Sequence, residues 1–142
     1  MKRTAIVAID HISLPVKDIK AARAFYKATL GAIGMNINMD FKTAFGMGSK
    51  KENIFWLTRD SRASGRGHYA FRVDNREEVD AFHAAALKSG GKDNGRPGPR
   101  PDYGRNYYAA FVKDKEDNNI EVVCYAKEPA PRKARRSSGR RK

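Results

Sequence analysis

Displaced by 57 residues, the chain lies over itself without a gap. His11 falls on His68, Val16 on Val73, Phe25 on Phe82, Ala28 on Ala85, Leu30 on Leu87 and Gly34 on Gly91. Seven residues after each histidine stands a residue suited to cap a helix, Asp18 or Asn75. Internal similarity of this kind means one supersecondary unit used twice. It divides the chain into a first module at about 5–59 and a second at about 67–126, with 60–67 as the linker.

Each copy opens with a strand in which alternate side chains point to opposite faces. His11 and Ser13 share one face, with Ile12 and Leu14 on the other; His68 and Ala70 repeat the arrangement opposite Tyr69 and Phe71. Helical spacing follows. Ile19, Ala22, Phe25, Tyr26 and Leu30 form one apolar stripe, and Val79, Phe82, Ala86 and Leu87 the other. Asn75 and Glu78 have the spacing of a capping box. Strand-like runs come next, at 35–39, 43–48 and 53–58 in the first copy and at 107–112 and 120–125 in the second. The segment 91–105, rich in Gly and Pro, reads as a long loop with one short strand at most. The pattern is β-α-β-β-β written twice. It predicts an α+β fold of two paired βαβββ modules that form a curved sheet around a cavity, because a helix always returned to the same side leaves the other face free.

Composition narrows the class. The chain has 142 residues, 40% of them hydrophobic, which suits one globular domain at 1–128. No apolar run approaches the roughly 20 residues of a membrane span, so no membrane partner is expected. Asp10 and His11 interrupt the short apolar run at 5–9, which argues against a signal peptide. Cys124 is the single cysteine, so no internal disulfide forms and a cytoplasmic location is expected. The net charge of +13 is concentrated at the end: residues 132–142 hold seven Lys or Arg and no acid. With no large apolar side chain to bury, 129–142 reads as a disordered basic tail. It is either a solvated tail or an arm making weak contact with a polyanion.

Two of three histidines, His11 and His68, occupy matched places on strands, and the last strand carries Glu121 among apolar neighbours. Either the histidines are hydrogen-bonded sheet residues or the three side chains bind a metal. The repeat-matched placement and an inward carboxylate favour metal, since two imidazoles and a carboxylate leave open coordination positions. Such a set suits one divalent ion: Mn, Fe, Ni, Co or Zn. Glu121, Val123 and Tyr125 share a face, opposite Val122 and Cys124. Of Tyr107 and Tyr108, parity with Phe111 points Tyr107 to the open face. Cys124 reads as a packing residue, His83 as a helix-surface or packing residue, and Arg59, Arg72 and Arg105 as solvated side chains that could also meet an anion.

The segments IDHISLPVKDIKAARAFYKATLG, GHYAFRV and FVKDKEDNNIEVV resemble the vicinal oxygen chelate superfamily of glyoxalase I, bleomycin-resistance proteins, fosfomycin-resistance transferases and extradiol dioxygenases. The last segment resembles that family's D-P-D-G-N-x-x-E hairpin, with Lys115, Glu116 and Asp117 departing from it. The resemblance implies a divalent metal held by His11, His68 and Glu121. Where glyoxalase I carries a further glutamate, this chain has Trp56, which speaks against ordinary glyoxalase I activity. The expected function is therefore a metal-dependent enzyme acting on a small molecule with adjacent oxygens, by lyase, transferase or dioxygenase chemistry. The alternative is a metal-free protein that sequesters a small molecule. Trp56, Tyr107, Ser13 and Phe111 are the expected substrate-binding residues, and no catalytic base is evident. Since superfamily members often pair modules across chains, a homodimer is expected.

Overall fold

The computed structural model describes residues 7–128. The first module runs β1 (Ile12–Val16), α1 (Ile19–Thr29), a 3-10 turn (Gly31–Ile33), β2 (Asn36–Asp40), β3 (Ala44–Gly48) and β4 (Phe55–Arg59). The second runs β5 (His68–Arg72), α2 (Arg76–Lys88), β6 (Lys92–Pro99), β7 (Tyr108–Lys113) and β8 (Asn119–Cys124). The strands are ordered β1-β4-β3-β2 in one sheet and β5-β8-β7-β6 in the other, so the repeat extends to topology. In each sheet the first strand pairs parallel to the last, and the remaining pairs are antiparallel. The two modules keep separate four-stranded sheets: among the described residues no ladder closes them into one. The reading of 129–142 as a disordered tail lies outside the described residues.

Both helices begin where the sequence places a cap. Asp18 accepts from Ala21 N (2.9 Å) and Asn75 from Glu78 N (2.9 Å). Each such bond satisfies an amide with no partner in the helix and contributes about 1 kcal/mol. Glu78 does not close the expected capping box on Asn75; its carboxylate accepts from Asp74 N one residue earlier (3.2 Å). The buried stripe of α2 is Val79, Phe82, His83 and Ala86. Leu87, expected in that stripe, is 42% exposed, because one step past Ala86 turns the side chain about 100° around the helix.

One hydrophobic cluster draws on both modules. Leu14 and Val16 of β1, Phe25 and Tyr26 of α1, Phe55 and Leu57 of β4, Phe82 of α2 and Val122 of β8 all belong to it. Phe55 is the bridge. Its ring lies 5.7 Å from Tyr26 in its own module, and 5.7 and 5.2 Å from Tyr69 and Phe71 of the second. Truncating a buried phenylalanine of this kind costs about 3–5 kcal/mol.

The β7–β8 turn also reaches across. Glu116 accepts from the Lys17 and Asp18 amides (2.6 and 3.1 Å), and Asp114 accepts from the Tyr26 hydroxyl. A turn of module two thereby holds the entry to α1 of module one.

The segment 91–105 departs from the loop reading. Most of it is the eight-residue strand β6, with irregular pairing between Asp93 and Gly95 and between Gly95 and Gly98. Glycine and proline are tolerated there because β6 is an edge strand: bulges absorb the irregular backbone and one row of amides needs no ladder partner.

Candidate metal centre

Alternation along the strands of module two sets its open face. Ile120 and Val122 of β8 join the core beneath α2, as does Cys124. The alternate residues Asn119, Glu121 and Val123 therefore turn the other way. Ladder register puts His68 beside Asn119, Ala70 beside Glu121, and Phe111 on the far side of Glu121. Tyr107, four residues before Phe111, shares this face as the parity expected. Tyr108 turns inward to α2, where its hydroxyl donates to Asp80 Oδ1 (2.7 Å).

Glu121 is 2% exposed, yet both of its oxygens are engaged. Oε2 stands 2.9 Å from His68 Nε2, and Oε1 accepts from the Tyr107 hydroxyl. Burial first, then the hydrogen bond and charge of Glu121, push the Tyr107 phenol well above its ordinary range. It therefore stays a donor. The His68 ring remains half-exposed at the edge of the face, 6.3 Å from the Phe111 ring. Around Tyr107 stand Tyr103 (5.5 Å) and Tyr125 (5.3 Å), both edge-on, and the Arg72 guanidinium lies 4.6 Å over Tyr125.

His11 does not join this pair within the chain. Its Nδ1 meets Asp10 Oδ1 at 2.6 Å on the exposed lead into β1. Among the described residues no three His, Cys, Asp or Glu side chains form a group able to hold a metal. One chain thus brings together His68 and Glu121 of the expected triad and leaves His11 apart.

The other expected site residues divide between the sheets. Ser13 and Trp56 are ladder partners in β1 and β4. In module two the equivalent of Ser13 is Ala70, whose partner is Glu121. Trp56 therefore occupies in module one the place that Glu121 holds in module two. Its indole lies over Gly46, where an added Cβ would come within 2.9 Å of the ring. Tyr107 and Phe111 accompany Glu121. Tyr103 and Arg100 were not expected on this face: both lie in the turn that follows β6, where strand alternation assigns no face. A separate cavity of about 230 Å³ lies between α1 and the β7–β8 turn, lined by Val16, Phe25 and Tyr26, on the helix side of the sheets.

The sequence profile of the Glyoxalase/Bleomycin resistance protein/Dioxygenase superfamily matches residues 8–122, a span that takes in both modules. The chain belongs to this superfamily. Among solved structures it is similar to a glyoxalase/bleomycin resistance protein from Albidiferax ferrireducens, at 26% identity and a TM-score of 0.69, covering 81% of this chain and 96% of that one. It is similar in fold to the fosfomycin resistance protein FosX of Listeria monocytogenes (18% identity, TM-score 0.64, covering 84% and 94%). The FosX of Mesorhizobium loti gives 15% identity and a TM-score of 0.61, covering 84% and 93%. No curated protein matches the chain. Among the described residues no helix is long and apolar enough to cross a membrane.

Proposed function

We propose that this superfamily member is a metal-dependent enzyme acting on a small molecule with adjacent oxygens. A divalent cation would be held by His68 and Glu121 of one chain and His11 of a second copy. The observation that carries the reading is the His68–Glu121 pair. Two ligand atoms at about 2.0–2.2 Å from one ion, set near a right angle, are separated by about 3 Å; Nε2 and Oε2 are 2.9 Å apart. Imidazole with carboxylate suits Mn, Fe, Co, Ni or Zn. A divalent ion bound there supplies Lewis-acid polarisation of two neighbouring substrate oxygens.

The chain's own residues do the rest. Tyr107 holds Glu121 Oε1 and so fixes the carboxylate plane with Oε2 toward His68. The burial of Glu121 keeps water from competing for that oxygen. The Phe111 ring and the Tyr103–Tyr107–Tyr125 array give the face flat apolar walls, suited to a planar part of the substrate. Ser13 and Trp56, on module one, would line the opposite wall where a second copy brings its first module to this face. The edge strands β1 and β5 each have one unpaired side, which a homodimer would cover.

A mixing experiment tests the shared site. Chains carrying His11→Ala and chains carrying Glu121→Ala are each expected to bind Mn²⁺ weakly. Reassociated in equal amounts, they should recover roughly a quarter of wild-type capacity, since about half the dimers are mixed and each mixed dimer holds one intact site. No recovery on mixing would contradict a site shared between chains.

A further inference from the structure

Beside the His68–Glu121 pair the open face carries a second recess of about 270 Å³, formed by Asn94, Gly95, Arg100, Tyr103, Phe111 and Asn119. It is continuous with the pair through two residues: Asn119 is the ladder partner of His68, and Phe111 that of Glu121. Its chemistry differs from that of the pair. The Arg100 guanidinium lies 5.6 Å over the Phe111 ring. Three backbone carbonyls hold it there: Nη1 donates to Gly98 O (3.0 Å) and Pro99 O (3.3 Å), and Nη2 to Arg96 O (2.7 Å). Of the five N–H donors of a guanidinium, two have no partner among the described residues. Among the described residues no carboxylate stands within ion-pair distance of Arg100.

The backbone is built to leave this space. Gly95 is the ladder partner of Phe111 and has φ +149. A Cβ there would come within 2.9 Å of the Phe111 ring and 3.3 Å of Arg100 Nη2. Any side chain at 95 would fill the recess between ring and cation. Asn94 Nδ2 donates to Asn119 Oδ1 (3.2 Å), and among the described residues the Asn119 NH2 group has no acceptor. A half-buried cation fixed by carbonyls, spare amide donors and an aromatic floor make a site for an organic oxyanion with a flat body.

We infer that this recess seats the acid group of the substrate, so that the molecule handled at the His68–Glu121 pair is a small planar carboxylate and Arg100 sets that specificity. The inference rests on the function proposed above, which it narrows. The acid group would take the free guanidinium donors and the Asn119 amide. The ring would lie along Phe111, and the remainder would extend toward His68.

Benzoate and benzyl alcohol, which share a ring and differ in charge, test this on the full-length protein without metal. Amide and arginine Nε–H signals are followed by NMR during each titration. Benzoate should shift the Arg100 Nε–H, Gly95 and Asn119 signals and bind at least tenfold more tightly than benzyl alcohol, the preference shrinking as salt rises. Arg100→Gln should remove that preference, and Arg62→Gln, at an exposed distant site, should leave it intact. Equal binding of the two probes, benzoate shifts elsewhere only, or an Arg100→Gln preference equal to wild type would each overturn the inference. The wild-type comparison decides it alone if Arg100→Gln does not fold. Mn²⁺ binding measured on the same sample separates the two readings: a protein that binds Mn²⁺ but does not prefer benzoate loses the acid recess and keeps the metal site.

Discussion

Tyr107 donates its phenolic proton to Glu121 Oε1, while His68 Nε2 stands 2.9 Å from the other oxygen of the same carboxylate. A buried carboxylate is thus held from one side by a neutral donor and from the other by an imidazole. Tyr107→Phe keeps the ring and its edge contacts and removes only the hydroxyl. Stability should fall by about 1–3 kcal/mol, the usual cost of a buried group losing a partner. Mn²⁺ affinity should fall about tenfold or more, because the carboxylate is no longer oriented. Urea unfolding and metal titration of the variant check both; unchanged metal affinity would make Tyr107 a packing residue only.

Alkaline stability should depend on Tyr108, the half-buried tyrosine on the helix side. Burial, then the hydrogen bond to Asp80, push the Tyr108 phenol up to about 12 from an ordinary value of 10.0. The folded chain holds this proton more tightly than the unfolded one. Its contribution is therefore complete below about pH 10 and is lost as pH rises from about 10 to about 12. Tyr26 and Tyr107 shift in the same direction. Urea midpoints across that range should fall for the wild type and fall less for Tyr108→Phe. Parallel curves would mean that Tyr108 titrates alike in both states.

The β7–β8 turn carries a removable strain. Asp117 sits at φ +69, where the family hairpin has glycine. The left-handed region is unfavourable for residues with a Cβ, though less so for Asp than for most. Asp117→Gly should raise stability by about 0.5–1 kcal/mol without moving the Glu116 contacts to Lys17 and Asp18. Denaturant melts of the two proteins decide the sign; destabilisation would mean that the flexibility added to the unfolded chain outweighs the relieved strain.

Much of this architecture was legible because the chain states it twice. The 57-residue repeat located both modules and both caps, strand parity separated Tyr107 from Tyr108, and the ladder register then showed Trp56 in the place of Glu121. Three features resisted. β6 hid behind Gly95, Pro97 and Gly98, whose types usually break strands but are tolerated in a bulged edge. Arg100 and Tyr103 lie in the turn beyond it, where no periodicity gives a face. Leu87 matched Leu30 by repeat, yet Leu30 ends its helix buried and Leu87 faces outward from a longer one. The position of His11 relative to His68 was beyond any local rule, because strand alternation fixes the face of a side chain within its sheet and says nothing of how two unjoined sheets approach.

The central claim is that His68 and Glu121 are ligands of one divalent ion. Mn²⁺ titration of the metal-stripped wild type, followed by the electron paramagnetic resonance signal of the free ion, tests it beside His68→Ala and Glu121→Ala. The account predicts close to one tight site per chain in the wild type and an affinity at least a hundredfold weaker in each variant, with the fold retained. Equal, negligible binding by all three proteins would contradict it and put the metal-free sequestering function in its place.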